Sequence, residues 1–388
     1  MTNESSVSSK PGHQASSPDR RSIKIRVKLQ ALRDNMATAR SLSGDSRQFA
    51  TIKADAYGHG AVAVAHALSH DGASESASKD SQGLQASADG FAVVTLEEAL
   101  ELRQSGIQQP VLVLQGPQDA NAASRMQHHD LWPVIHDHFQ YGWFREHPDR
   151  GELRAWMKVD SGMGRLGFQP EEASRILSAE DGVRWTGLMT HFACADETAN
   201  SYTDYQIQRF SSVDTQLSLQ RSMANSAAVL AWPAAKADWA RPGILLYGCN
   251  PLDRSLPDDV VLKPVMSVEA PLVSVKQMPR GTGIGYAQSW NCPEDMPIGY
   301  VGAGYRDGVP RVLDESACVS IAGRKCPIVG RVSMDSFAVD LRHVPEAQVG
   351  DTVELWGENN SVDDLAKAAG TISYELLTSI RGARIYID

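Results

Sequence analysis

Cysteine is scarce. Five residues (Cys194, Cys249, Cys292, Cys318, Cys326) are scattered through 388 positions. None forms a CxxC pair, which excludes a zinc ribbon or a disulfide-stapled scaffold and reads as free thiols in a reducing, cytoplasmic setting. No uninterrupted apolar run approaches the roughly 18 residues that a membrane-spanning helix needs. Positive charge is in deficit. There are 37 Lys and Arg against 47 Asp and Glu, a net charge of -10, whereas a general nucleic-acid binder needs a basic footprint. No GxGxxG follows a strand-like run, so a dinucleotide crevice is not supported, and no metal is expected.

What is present is a chain 42% hydrophobic and 22% charged. It is long enough for a sizeable core, and for two domains or one large barrel with an addition. Residues 1–22 are rich in Ser and nearly devoid of apolar side chains, so they cannot offset their ordering entropy and read as a disordered tail. The tail has no apolar run of the secretory kind. Its basic end (Arg20, Arg21, then Lys24 and Arg26) has a transit-peptide flavour that Glu4, Asp19 and Pro11 oppose. A polar stretch at 74–88 reads as a surface-loop insertion.

Short apolar runs then recur at 49–52, 91–94, 111–114, 131–135, 155–159, 185–192 and, weakly, 222–224. Ile244-Leu245-Leu246 closes the series, with a start near Trp239. Helical signals lie between several of them. Leu29, Leu32, Met36 and Ala39 share one helical face, and Phe210, Val213 and Leu217 mark another. Thr95-Leu96-Glu97-Glu98 is a capping-box pattern. Buried apolar strands alternating with helices mean a parallel sheet. About eight such units across 23–262 fit an N-terminal (β/α)8 TIM-like barrel, with an open doubly wound sheet as the alternative. Over 263–388 the runs become short and are punctuated by Gly, Pro and Asp, the texture of a mostly-β domain. Ser361 to Asp364 is a further capping-box pattern, opening a helix near Leu365.

Chemistry-bearing residues sit at the ends of the barrel runs, where such barrels build their sites. Lys53 follows the run 49–52. Partial burial would lower its pKa and make the amine a nucleophile toward aldehydes; alternatively its stem covers apolar surface while the head reaches water. Lys158 ends the run 155–159 ahead of Arg165, His191 ends 185–192, Asn225 and Ser226 follow 222–224, and Arg241 and Gly243 follow Trp239. Singly, His191 could be a satisfied core histidine, Asn225 a helix cap and Arg241 a surface ion-pair partner. Their shared location favours a site.

Motifs at these ends resemble the alanine racemase family. They are KADAYGHGA (53–61), KVDSGMGRLGF (158–168), THFACADE (190–197), ANSAA (224–228) and RPGILLYG (241–248). GIGYAQSW (283–290), GYRDGVPR (304–311), VGRVSMD (329–335) and TISYELL (371–377) follow in family order. The resemblance covers nearly everything after Arg26. It implies a barrel followed by a β domain, a pyridoxal 5′-phosphate cofactor, a small amino-acid substrate and a head-to-tail homodimer that shares its active sites. It implies racemisation by two bases, Lys53 holding the cofactor through an imine and Tyr286 reaching in from the other subunit. It assigns the cofactor phosphate to Tyr57, Ser226, Tyr374 and the amides of Gly243 and Ile244. His191 and Asn225 fall in the cofactor site, and Arg241 faces the pyridine nitrogen. It assigns the substrate carboxylate to Arg165 and the amide of Met334, with Asp335 shaping that end and Tyr305 lining the way in. Lys158 matches a lysine that is carbamylated in many members. Asp55 stands where many relatives carry asparagine. The implied function is alanine racemase, supplying D-alanine for peptidoglycan or catabolising alanine. The alternatives are a broader-specificity or serine racemase and a non-catalytic pyridoxal-phosphate homeostasis protein. The latter resembles the barrel half only.

Overall fold

A computed structural model describes residues 23–69, 86–147, 152 and 154–388. The tail expected at 1–22 and residues 74–85 of the expected insertion lie outside the described residues.

The chain does not begin in the barrel. Strand β1 (Lys24–Lys28) pairs antiparallel with β10 (Met266–Met278) and parallel with the terminal β18 (Arg384–Ile387). The first strand therefore belongs to the second sheet, through pairings far apart in sequence. Helix Leu29–Ser43 then crosses to the barrel and buries Leu32, Met36 and Ala39 on one face, as their spacing predicts.

Eight parallel strands close the barrel. They are β2 (Arg47–Thr51), β3 (Gly90–Val93), β4 (Val111–Val113), β5 (Trp132–Ile135), β6 (Ala155–Lys158), β7 (Trp185–Met189), β8 (Gln220–Ser222) and β9 (Trp239–Ala240). Closure comes from β2 pairing with β9. The interior is filled by side chains, as the fold requires. Phe49 stacks on Trp239 at 3.8 Å between centroids and meets Trp132 and Trp156 edge-on. Gly187 makes room for that packing, because a Cβ there would stand 2.5 Å from the Trp156 ring.

Three expectations are corrected. Ile244-Leu245-Leu246 is not the eighth strand. That strand is the two-residue β9, and Ile244–Tyr247 is one buried 3₁₀ turn. The helix carrying Phe210 ends at Ser211, leaving Val213 beyond it and Leu217 exposed. Ser361 caps helix Val362–Ala368 by accepting from the Asp363 amide, without the reciprocal bond of a capping box. At Thr95 the capping box is complete.

The second domain is an eight-stranded sheet that includes β1. Its other members are β10, β18, β13 (Met296–Val301), β14 (Cys318–Ile321), β15 (Arg324–Val329), β16 (Phe337–Asp340) and β17 (Thr352–Trp356), while β11 (Gly283–Ile284) and β12 (Trp290–Asn291) form a separate hairpin. One continuous core joins the two domains, running from Ile52 and Leu245 through Val268 and Trp356 to Leu376. The helix Ser373–Ser379 is thereby pressed against the C-terminal end of β2, with the Tyr374 ring 5.5 Å from that of Tyr57.

Candidate active site

The C-terminal ends of the barrel strands surround a cavity of about 280 Å³. Lys53, Tyr57, Lys158, Arg165, His191, Asn225, Ser226, Arg241, Gly243, Ile244 and Tyr374 all line it. Strand geometry explains the convergence, since all of these but Tyr374 end a parallel strand or lie in the segment after it, while Tyr374 is brought in by the helix Ser373–Ser379 of the second domain. Thr51, Gln115 and Leu166 line it too and escaped the sequence reading. Gln115 had a usable signal, a polar residue two positions past β4.

Lys53 leaves β2 into an unusual turn. Ala54, Asp55, Ala56 and Tyr57 all have φ of 52 or 53°, one turn of left-handed helix built without glycine. Such a turn costs about 1–2 kcal/mol per residue, so its surroundings must hold it. The Ala54 amide donates to Glu98 Oε1 at 2.7 Å, and Asp55 accepts from the Ala61 amide at 2.8 Å. His59 Nδ1 lies 2.9 Å from the carbonyls of both Ala56 and Tyr57. Arg384 donates to the Gly58 carbonyl at 2.9 Å. The turn aims Tyr57 at the base of the cavity, where burial pushes its phenol pKa up.

Facing it is a cradle for an anion. The Ser226 hydroxyl accepts from the Gly243 amide at 2.8 Å and from the Leu245 amide at 3.3 Å. Asn225 caps the following helix, accepting from the Ala228 amide at 3.0 Å. A Cβ on Gly243 would stand 2.6 Å from the Tyr57 hydroxyl, so only glycine lets these walls approach. Tyr374 completes this end, with its pKa raised by burial.

The electrostatics are one-sided. Lys53, Lys158, Arg165 and Arg241 line the cavity, and among the described residues no Asp or Glu does. Burial, then Arg165, lowers the Lys53 pKa, and Arg241 adds to this while Glu98 opposes it. Burial, with Arg241 and Arg165, pulls Lys158 down to about 7. His191 is pushed well below its ordinary value by burial and by Lys158. Arg241 is held rigidly, donating to Ser222 Oγ at 2.5 Å and to the carbonyls of Thr190 and Met223 at 2.6 and 3.1 Å. Burial lowers it to about 10, so it stays protonated near neutral pH. A cationic pocket with a hydroxyl-and-amide cradle suits an anionic, phosphate-bearing ligand. The residues present therefore fit pyridoxal phosphate.

Tyr286, Tyr305, Met334 and Asp335 do not line this cavity. They gather on one outer face of the second domain. The Tyr305 and Arg306 amides donate to the carbonyls of Ser333 and Met334 at 3.0 and 3.2 Å. Arg306 pairs with Asp335 at 2.9 Å. The turn carrying Tyr286 lies beside the loop at Gly330 and Arg331. Tyr286 is 65% exposed and Met334 51%. Among the described residues no helix is long and apolar enough to cross a membrane and no metal-binding cluster occurs.

Comparison with known proteins follows the same division. Residues 27–82 and 76–251 match the family model for the alanine racemase N-terminal domain, and 265–386 match that for the C-terminal domain. An alanine racemase of Pseudomonas entomophila is 41% identical over 365 residues, which cover 93% of this chain and 97% of that protein. A catabolic alanine racemase of Pseudomonas putida is 40% identical over 358 residues, covering 92% of this chain and 96% of that protein. The crystal structure of biosynthetic alanine racemase from Pseudomonas aeruginosa superposes with a TM-score of 0.85 at 40% identity, covering 95% of this chain and 99% of that one.

Proposed function

The chain belongs to the alanine racemase family, and from that premise we propose that it interconverts L- and D-alanine with pyridoxal 5′-phosphate as cofactor. The observation that carries this is the cavity at the strand ends, with Lys53 beside Lys158, Arg165 and Arg241 and no carboxylate in its wall. When bound, pyridoxal phosphate supplies the electron sink that makes an amino acid's α-proton removable.

The chain's own residues do the rest. Tyr57, Ser226, Tyr374 and the amides of Gly243 and Ile244 would hold the phosphate. Arg241, kept protonated and locked by three acceptors, would be the donor for the cofactor's ring nitrogen. Lys53 anchors the cofactor and moves the proton at one face of the substrate's Cα; burial among cations favours its neutral, basic form. Arg165 takes the substrate carboxylate with two parallel hydrogen bonds.

Inversion needs a second proton donor and acceptor on the opposite face. Tyr286 serves there, contributed by a second copy of the chain. Its exposure, together with that of Tyr305 and Met334 on the same outer face, supports this homodimer. The Met334 amide then meets the substrate carboxylate and Asp335 shapes the same end. Lys158, with a pKa near 7, offers a neutral amine to carbon dioxide. An N–C bond forms, a proton leaves to solvent, and the resulting carbamate anion faces Arg165.

The test is L-alanine in heavy water with purified protein and pyridoxal phosphate, following optical rotation and deuterium at Cα. Rotation decaying to zero with deuterium incorporated supports two-base racemisation. Exchange with retained rotation shows that only one face is served and refutes the role of Tyr286. Exchange confined to serine or larger amino acids points to a broader-specificity racemase. No exchange on any of them leaves the homeostasis-protein reading.

A further inference from the structure

Glu98 was visible in the sequence as half of a capping box, and the structure gives it a second attachment. Its Oε2 accepts from the amides of Val94 and Thr95 at 2.7 and 3.1 Å, the ordinary reach-back of the box. Its Oε1 accepts from the Ala54 amide at 2.7 Å, from a different strand end. Ala54 is the residue after Lys53 and the first of the left-handed turn. One carboxylate thus ties the end of β3 to the point where the lysine leaves β2.

Three N–H donors aimed at two oxygens match the acceptor set of a carboxylate. A glutamine has one acceptor oxygen, so whichever way it lies, its NH₂ faces a backbone N–H. The charge matters as well as the geometry. Arg165 and Arg241 bear on Lys53, Lys158 and His191 lie on the same wall, and among the described residues Glu98 is the one anion that acts appreciably on that amine. The Asp55 carboxylate, although adjacent in sequence, is engaged by the Ala61 amide and lies toward Arg384.

We infer that Glu98 is a positioning residue for Lys53: by clamping the Ala54 amide it sets the direction in which the amine leaves the strand, and its charge holds that amine among the surrounding cations. The inference rests on Lys53 being the cofactor lysine. Its two effects are separable. Glu98→Gln removes the charge and one of the clamps. Glu98→Asp keeps the charge but is one methylene too short to span both strand ends. Thr95→Ala removes the other half of the cap, the hydroxyl that accepts the Glu98 amide at 3.2 Å, and leaves the bond to Ala54 in place.

The experiment is competitive acetylation of the cofactor-free full chain by acetic anhydride. Peptide mass spectrometry reads the pH midpoint at which Lys53 becomes reactive, and the rate of pyridoxal phosphate loss on dialysis is measured alongside. Glu98→Gln is expected to lower the midpoint by about half a unit or more and to speed cofactor loss about tenfold. Glu98→Asp is expected to keep the wild-type midpoint and speed cofactor loss. Thr95→Ala is expected to change neither. Wild-type midpoints and loss rates in both Glu98 variants overturn the inference, as does Thr95→Ala reproducing the changes. Should Glu98→Gln fail to fold, Glu98→Asp decides by its loss rate. Wild-type Lys53 that pyridoxal phosphate does not protect from acetylation overturns the cofactor-lysine reading instead, and the midpoint comparison still decides what Glu98 does to the amine.

Discussion

Acid should loosen the turn that carries Lys53, through His59. This imidazole is fully buried, stacked on Tyr247 at 4.4 Å, with Nδ1 at 2.9 Å from the carbonyls of Ala56 and Tyr57. Its Nε2 has no hydrogen-bond partner. It is therefore held neutral, and burial drives its pKa from 6.5 down to about 4. The unfolded chain binds a proton at the ordinary pKa and the folded chain does not until about pH 4. Stability from this group is intact above the unfolded value and falls as pH drops between the two. The linkage amounts to about 2 kcal/mol at pH 5 and about 3 kcal/mol once pH is below both values. The assay is urea unfolding of the cofactor-free protein at pH 7.5 and at pH 5, wild type against His59→Asn. Asparagine retains an N–H donor but does not titrate, and groups such as His191 contribute equally to both proteins. The variant should be less stable at pH 7.5 yet lose about 2 kcal/mol less on acidification. Equal losses in the two proteins would refute the argument.

Three further outcomes are expected. Gly243→Ala places a Cβ 2.6 Å from the Tyr57 hydroxyl, so absorbance titration should show pyridoxal phosphate binding about tenfold weaker; an unchanged Kd would show that the cradle is not closed there. Arg241→Glu removes the permanent donor proposed to face the ring nitrogen. Racemisation should slow by at least about tenfold while pyridoxamine phosphate accumulates as a side product, and unchanged turnover without that product would sink the assignment. Native mass spectrometry in bicarbonate should show one added carbon dioxide that Lys158→Ala lacks. A wild-type mass with no adduct and no bound anion counts against the carbamate.

Most of the barrel could be read from the chain because its strands are buried on both faces, so apolar runs mark them directly. The same rule misplaces the eighth strand. Apolarity reports burial rather than period, and the 3₁₀ turn Ile244–Tyr247 is as buried as any strand. The true strand, Trp239–Ala240, is two residues long, so its pattern marks only the start near Trp239 and not where the strand ends. The placement of β1 in the second sheet was not legible either. It depends on pairing with Met266 to Glu269 and with Arg384 to Ile387, and nothing local encodes so distant a partner.

The site divides along the same line. Residues at strand ends were legible because barrel topology sends every such end to one rim. The conformation after Lys53 was not. Lys-Ala-Asp-Ala-Tyr favours an ordinary helix by propensity, yet four of those residues are left-handed, at a summed cost of about 4–8 kcal/mol. What overrides propensity is a set of long-range clamps: Glu98 from β3's end, His59 from below, and Arg384 from the last strand. Glu98 stayed hidden because a capping box already explained it, and only the third hydrogen bond reveals the second task. The buried, cation-rich wall is a second cost, since Lys158 and His191 are both pushed toward neutrality first by burial and then by cationic neighbours. Strain and charge repulsion meet at the same few residues, on strand ends whose packing is otherwise regular. That coincidence is what selection for ligand binding produces and selection for stability alone does not. An anion placed between Lys158 and Arg165 would relieve the repulsion directly, so its binding and folding stability should be coupled through those two residues more strongly than through the apolar wall.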